Sequence, residues 1–283
     1  MTHTYKHKLI FLLQRLATMN AWRLLRLETY NAFMNMAIDE AILKARIKNL
    51  VPNTLRFYRW KPSAVSIGRF QKIENEVQLD NCRKHSVDVV RRITGGGTVY
   101  HGAEDEITYG VVVRKSDLDA PDIASVYAKI YDGLAGAVKM LGLRADFNVG
   151  DKGHCPNITI KGKKISGSAQ CHKGGVVLQH GTFLMDVDLK KMFTFLRVPW
   201  ARTCLEVADV ARRKITSIRE ALGREVSISE VNEALISGFQ KALSIKLIEG
   251  ELTNHESELA EKLFKQKYAK IEWNLEGKSV YEK

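Results

Sequence analysis

The chain has 283 residues, 45% of them hydrophobic and 27% charged, enough to bury a full core as one large domain or two modest ones. Its 44 Lys and Arg against 32 Asp and Glu leave a formal net charge of +12, which suits an acidic protein, a nucleic acid or a phosphate-bearing substrate, or is simply a basic surface. Cys82, Cys155, Cys171 and Cys204 form no CxxC pair, so neither a zinc ribbon, a disulfide framework nor an oxidising compartment is indicated.

The N-terminal run "KHKLIFLLQRLATM" has an apolar core of only Leu9 to Leu13, broken by Gln14 and Arg15, too short for a signal peptide. No apolar run approaches a membrane span, and the expected location is the cytoplasm. Met19 opens "MNAWRLLRLETY", so residues 1–18 read as an extension and 19–283 as one domain.

"RLLRLE" (23–28) reads as a strand and "FMNMAIDEAILKARI" (33–47) as an amphipathic helix carrying Met36, Ile38, Ala41, Ile42 and Ala45. "TLRFYRW" and "AVSIG" read as strands around the Lys61-Pro62 turn, and "VVRRI" and "ITYGVVV" as strands flanking a glycine run. A long helix is predicted over 124–143, ending near Gly142. Two strand-rich segments follow, "NITIKGKKISGSAQ" and "GGVVLQHGTFLMDVDL", with turns at Gly162 and Gly174-Gly175. After about residue 205 the pattern is helical, with capping boxes at Ser217/Glu220, Ser227/Glu230 and Thr253/Glu256. The expected class is α+β: a mostly antiparallel sheet flanked by helices.

Three segments carry candidate chemistry. In "RRITGGGTVYH" the glycines Gly95, Gly96 and Gly97 expose backbone amides able to form an anion nest, Arg91 and Arg92 add charge, and His101 follows; the alternative is a tight turn. The pattern fits neither a P-loop nor a dinucleotide fingerprint. In "KGKKISGS" only one of Lys163 and Lys164 can face a site, because strand neighbours point to opposite faces; the alternative is a solvated hairpin. In "LQHGTF" His180 and Gly181 interrupt a strand, as a core histidine or a point of close backbone approach.

The ordered set "GRFQ" (68–71), "RRITGGGTVYH" (91–101), "GKKISGSAQ" (162–170), "QHGTFLMDVDL" (179–189) and "KYAKIEWN" (267–274) resembles the lipoate/octanoate–protein attachment family, related to biotin–protein ligases. The resemblance spans about 20–275. It implies that Arg69, Arg91, Arg92, Gly95, Gly96, Gly97 and His101 line an acyl-adenylate site. It makes Lys164 the catalytic lysine, with Lys163 its outward neighbour, and puts His180, Gly181 and Thr182 along the acyl tunnel. In the ligases, ATP and Mg2+ activate a free lipoate or octanoate, and a lysine of a lipoyl domain then displaces AMP; no protein metal site is implied. The acceptors are 2-oxoacid dehydrogenase subunits or the glycine-cleavage carrier protein, and acidic acceptors suit the basic charge.

Octanoyltransferases of the same fold instead take the acyl group from a carrier-protein thioester onto a cysteine, without ATP. Cys155 stands in the loop where one branch carries that cysteine, though closer to the strand, and "DEITYGVVV" (105–113) resembles that branch. Gly97 points the other way, since those transferases tend to have arginine there. The chain stops soon after "EWN", as do transferases and those ligases with a separate accessory subunit. The expectation is an ATP-dependent ligase, with the octanoyltransferase as alternative. A basic nucleic-acid-binding module is a remote third reading, since the basic residues are dispersed and show no aromatic-studded stripe or zinc spacing.

Overall fold

The strand "TLRFYRW" shows how this chain builds its layers. Leu55 and Phe57 join one buried cluster, whereas Tyr58 and Trp60 join another. Alternate residues therefore enter two cores on opposite faces of one sheet. The structure, a computed structural model, describes residues 21–150, 155–198 and 200–278. The expected extension over 1–18 lies outside them.

The main sheet contains β1 (Ala21–Tyr30), β2 (Thr54–Trp60), β6 (Glu106–Arg114), β7 (Asp146–Asn148), β8 (Asn157–Ile160), β9 (Lys163–Lys173), β10 (Val176–Leu184) and β11 (Lys246–Glu249). Its order is β11-β1-β2-β6-β10-β9-β8-β7. The pairs from β2 to β7 are antiparallel, and β1 pairs in parallel with both β2 and β11. A smaller sheet holds β3 (Ala64–Ile67) between β4 (Asp88–Arg91) and β5 (Val99–His101). The expected α+β class with a mostly antiparallel sheet is what forms. β11 escaped sequence reading: four largely exposed residues carry no alternation signal.

One face of the main sheet is covered by α2 (Ile123–Met140) and α3 (Ile228–Ala242), which share a core with Phe57, Tyr109 and Val111. The other is covered by α1 (Ala32–Ile47) and α4 (Asn254–Leu263), packed on Tyr58, Trp60, Val112 and Leu178. All five apolar residues expected to form the stripe of α1 are buried there. So are Asp39 and Glu40, an unusual addition to a core-facing helix.

Each expected Ncap hydroxyl, on Ser217, Ser227 and Thr253, accepts the amide three residues on. Only Thr253 forms the reciprocal box, its own N–H donating to Glu256 at 2.8 Å. Glu220 is drawn off to Lys163 and Glu230 to Arg224. Glu256 also receives both ends of the buried Arg23 guanidinium, at 2.6 and 2.7 Å, tying α4 to β1. Burial alone raises its pKa, but bonds from Arg23 and Thr253 outweigh that and hold it below the ordinary value. The group ionises more readily folded than unfolded. Its stabilisation is therefore complete above an unfolded pKa of about 4.3 and is lost as pH falls through the lower folded value. Glu256→Ala leaves Arg23 buried without its partner and is expected to cost about 3–5 kcal/mol, read from urea midpoints at pH 7.

Candidate active site

A cavity of about 310 Å³ lies between β9–β10 of the main sheet and the β3–β5 side of the small sheet. Met36 of α1 and Tyr58, Trp60 and Thr108 line it and are themselves buried, whereas Cys155 and Lys164 line it and reach solvent. Those two define the mouth, and the buried set defines the floor.

Lys164 reaches the cavity through a local irregularity. The β8–β9 turn takes Lys161 and Gly162 to φ 49° and 76°, the positive pair of a two-residue hairpin. Register then shifts: Thr159 pairs with Lys164 but Ile158 with Ser166, leaving Ile165 as the extra residue of a bulge. The Lys164 N–H donates to the Lys214 carbonyl at 2.7 Å, and its own carbonyl accepts from Thr216 N–H at 3.0 Å. Lys163 points away and its Nζ meets Glu220 at 3.2 Å. Gly167 leaves room for the amine, since a methyl group there would sit 2.6 Å from Lys164 Nζ. Although the side chain reaches solvent through the mouth, surrounding protein desolvates it and pulls its pKa below the ordinary lysine value, with Cys155 opposing.

Cys155 is a free, exposed thiol on the same cavity. The next residue is pinned: Tyr131 of α2 donates its hydroxyl to the Pro156 carbonyl and also shares a bond with Ser168 Oγ at 2.6 Å. No sequence pattern marked Tyr131, which reads as one more apolar-face residue of the helix. Tyr131→Phe frees the Pro156 carbonyl while keeping the ring. It is expected to cost about 1 kcal/mol in stability and to slow acyl transfer roughly tenfold, measured by denaturant titration and transfer kinetics.

Arg92 and the two histidines form one buried network. Arg92 Nε donates to Thr94 Oγ1 (3.1 Å), Nη1 to Ser66 Oγ (2.9 Å) and its carbonyl (3.0 Å), and Nη2 to the carbonyls of Gly95 (2.8 Å) and Gly97 (2.7 Å). Thr94 Oγ1 meets His180 Nε2 at 2.8 Å, and His180 Nδ1 meets Asp39 Oδ2 at 2.8 Å. Ser66 Oγ meets His101 Nε2 at 2.8 Å, and His101 Nδ1 meets Glu106 Oε1 at 2.8 Å. Asp39 further accepts from Arg56 (2.7 Å) and Tyr58 (2.9 Å), and Glu106 from Thr108 (2.6 Å). Desolvation pushes the Asp39 pKa up, but the bond from His180 and the charge of Arg56 outweigh it, and the net shift is down. Burial lowers His180 more than Asp39 raises it. The pair is therefore a carboxylate beside a neutral imidazole protonated at Nδ1.

The arginines differ in where the fold places them. Arg92 lines the cavity, and all five of its N–H groups donate to protein oxygens, so it braces the glycine loop. Burial brings its pKa to about 10, which keeps it charged at neutral pH. Arg91 lies off the cavity. Its guanidinium donates to the carbonyls of Gln71 (2.7 Å), Trp273 (3.1 Å) and Leu275 (3.3 Å), fastening the "KYAKIEWN" segment to the end of β4. Arg69 is also elsewhere, bonded to the Gly277 carbonyl at 2.9 Å and stacked 4.7 Å over Trp273. Both face a separate surface groove. A buried guanidinium takes whatever carbonyls surround it, and sequence does not show which those are.

Of the glycines, Gly96 needs its residue type, with φ +85°. At Gly95 and Gly97 an added methyl would meet nothing within 4 Å, and Gly97 lines the cavity. His101, His180, Gly181 and Thr182 all line it as well. What closely approaches Gly181 is protein: a methyl there would lie 2.4 Å from the Gly167 carbonyl oxygen. Sequence reasoning missed Asp39, Ser66, Thr94, Glu106, Tyr131 and Ser168. Only Asp39 left a trace, as an acid inside the apolar run of α1. Cys204 and Cys82 do not line the cavity.

Residues 31–240 match the family described as Lipoyl protein ligase A/B catalytic domain. The chain belongs to that family and is an enzyme of lipoyl or octanoyl transfer. Among its relatives, Octanoyltransferase LipM of Clostridioides difficile is 35% identical over 271 residues, covering 90% of this chain and 99% of the relative. Octanoyltransferase LipM of Symbiobacterium thermophilum is 38% identical, covering 90% and 98%. Among solved structures, a bi-partite lipoate protein ligase of Thermoplasma acidophilum, described with its E2 lipoyl domain, matches with TM-score 0.79 and 33% identity over 92% of this chain and 98% of that one. A lipoate-protein ligase A bound with ATP matches with TM-score 0.78 and 33% identity, covering 90% and 98%. Among the described residues no helix is long and apolar enough to cross a membrane.

Proposed function

We propose that this protein is an octanoyltransferase that moves an octanoyl group from a carrier-protein thioester, through Cys155, to a lysine of a lipoyl-domain acceptor. The observation that carries the reading is one exposed free thiol, Cys155, on the same cavity as the desolvated Lys164. The buried apolar floor suits an acyl chain whose carbonyl stays at the mouth. The relatives named octanoyltransferase, aligned over nine-tenths of the chain, weigh in the same direction. So does the commitment of both loop arginines to backbone carbonyls. This reverses the preference drawn from the sequence.

In the first half-reaction the Cys155 thiolate attacks the thioester carbonyl; the carrier thiol leaves as its thiolate and takes up a proton. In the second, the acceptor lysine amine attacks the acyl-Cys155 carbonyl, an amide forms and the Cys155 thiolate departs. The attacking amine gives its proton to neutral Lys164, whose lowered pKa makes that form more available. Acceptors of the 2-oxoacid dehydrogenase or glycine-cleavage type, with acidic surfaces, suit the +12 charge.

A second reading, ATP-dependent lipoate ligation with Mg2+ and a possible accessory subunit, draws on the open space over Gly95 and Gly97 and on the likeness to the ATP-bound ligase. In that reading Lys164 stabilises the acyl-adenylate. Intact mass of a lipoyl domain separates the two. Octanoyl-carrier protein without ATP is expected to add an octanoyl mass. A gain only with lipoate, ATP and Mg2+ overturns the transferase reading.

A further inference from the structure

His101 and His180 look alike in one respect: each has a carboxylate at Nδ1 and a hydroxyl at Nε2. Both hydroxyls are held by a single group, Arg92. Arg92 donates into the oxygens of Thr94 and Ser66, and with each histidine protonated at Nδ1 the hydroxyl proton goes to Nε2. Each histidine then spends its Nδ1 proton on Asp39 or Glu106. Neither ring keeps a lone pair or a proton to offer a reacting group. The carboxyl groups of Asp39 and Glu106 and the guanidiniums of Arg92 and Arg56 meet within this network. The other groups facing it are Tyr58 on Asp39, Thr108 on Glu106 and Trp60, whose ring stacks on His101 at 3.9 Å.

The remaining donors of Arg92 hold the carbonyls on either side of Gly96. That glycine faces Cys155: a methyl group on it would lie 3.9 Å from Sγ and 3.2 Å from Ala169 Cβ. Its carbonyl presses against Gly68, where a methyl would lie 2.1 Å from the oxygen. The loop is thus gripped from beneath by one guanidinium, which two histidine arms anchor to the main sheet and α1. We infer that Arg92, with His101 and His180 as its arms, is a positioning device that sets the glycine loop against Cys155, and that neither histidine exchanges a proton with the reacting groups.

The inference relies on the transferase reading for the role of Cys155, but its test includes a measurement free of turnover. Iodoacetamide alkylation of Cys155 in the full chain, corrected by the Cys155→Ser rate, reports the loop directly. Arg92→Lys supplies a single point of donation and cannot hold both carbonyls and both hydroxyls, so the alkylation rate is expected to change at least about threefold. In octanoyl transfer, His180→Ala and His101→Ala are expected to lower kcat about tenfold or more with KM for the acyl donor unchanged. The Gln variants, which keep one donor and one acceptor, are expected to recover most of that loss and to leave the acid limb of the kcat/KM–pH profile where it is in the parent. Gln variants as inactive as the Ala variants, or an acid limb lost with either histidine, overturn the inference and make that histidine a proton carrier. Unchanged alkylation in Arg92→Lys overturns it equally. Full activity in Cys155→Ser sinks the transferase reading instead, and the alkylation rates of the natural thiol still decide the positioning role.

Discussion

Cys155→Ser is expected to lower octanoyl transfer from the carrier thioester by about 10³-fold or more while leaving the denaturation midpoint within experimental scatter. The serine hydroxyl is close in size to the thiol, so the cavity wall and the Tyr131–Pro156 bond persist. What disappears is the sulfur nucleophile and, with it, a leaving group able to depart from the acyl-enzyme. Intact mass of the enzyme itself supplies a second readout. The parent is expected to gain an octanoyl mass when incubated with octanoyl-carrier protein in the absence of acceptor, and the serine variant to gain none. A serine variant that transfers at the parental rate rules the thiol out.

Lys164→Met is expected to cost a similar factor, about 10³-fold, in either reading of the chemistry. Methionine keeps the apolar stem and fits beside Gly167, so packing is preserved. Stability is expected to hold or rise slightly, because the variant removes a desolvated amine that no described hydrogen bond or ion pair compensates. In the transferase reading the neutral amine is the active form. The parental rate is then expected to climb with pH up to the lowered Lys164 pKa, and the variant to lack that limb. Near-parental turnover refutes the assignment of this lysine.

The features read most securely from sequence were those set by local periodicity and turn chemistry. The α1 stripe, the alternation of "TLRFYRW", and the turns at Gly162 and Gly174-Gly175 each follow from a few neighbouring residues. Lys164 as the inward member of its pair also came from strand alternation together with the resemblance. Charge was far less informative, since +12 left nucleic acid, protein and phosphate partners all open until the family was known. For the arginines the sequence did not disclose the protein partners. Two adjacent guanidiniums before three glycines read as a phosphate grip, yet Arg91 serves the C-terminal segment and Arg92 the loop itself.

By itself, then, the sequence determined the longer helices and strands, the main turns and the chemical types available near the site, because those depend on spacing of a few residues; the short, exposed β11 was left out because it carries no such pattern. Tertiary structure decided what each polar group does. Asp39 meets His180 across 141 positions, Arg91 meets Trp273 across 182, and Lys267 meets Glu40 across 227. A buried donor must find an acceptor wherever folding brings one within about 3 Å, and no local pattern records that partner.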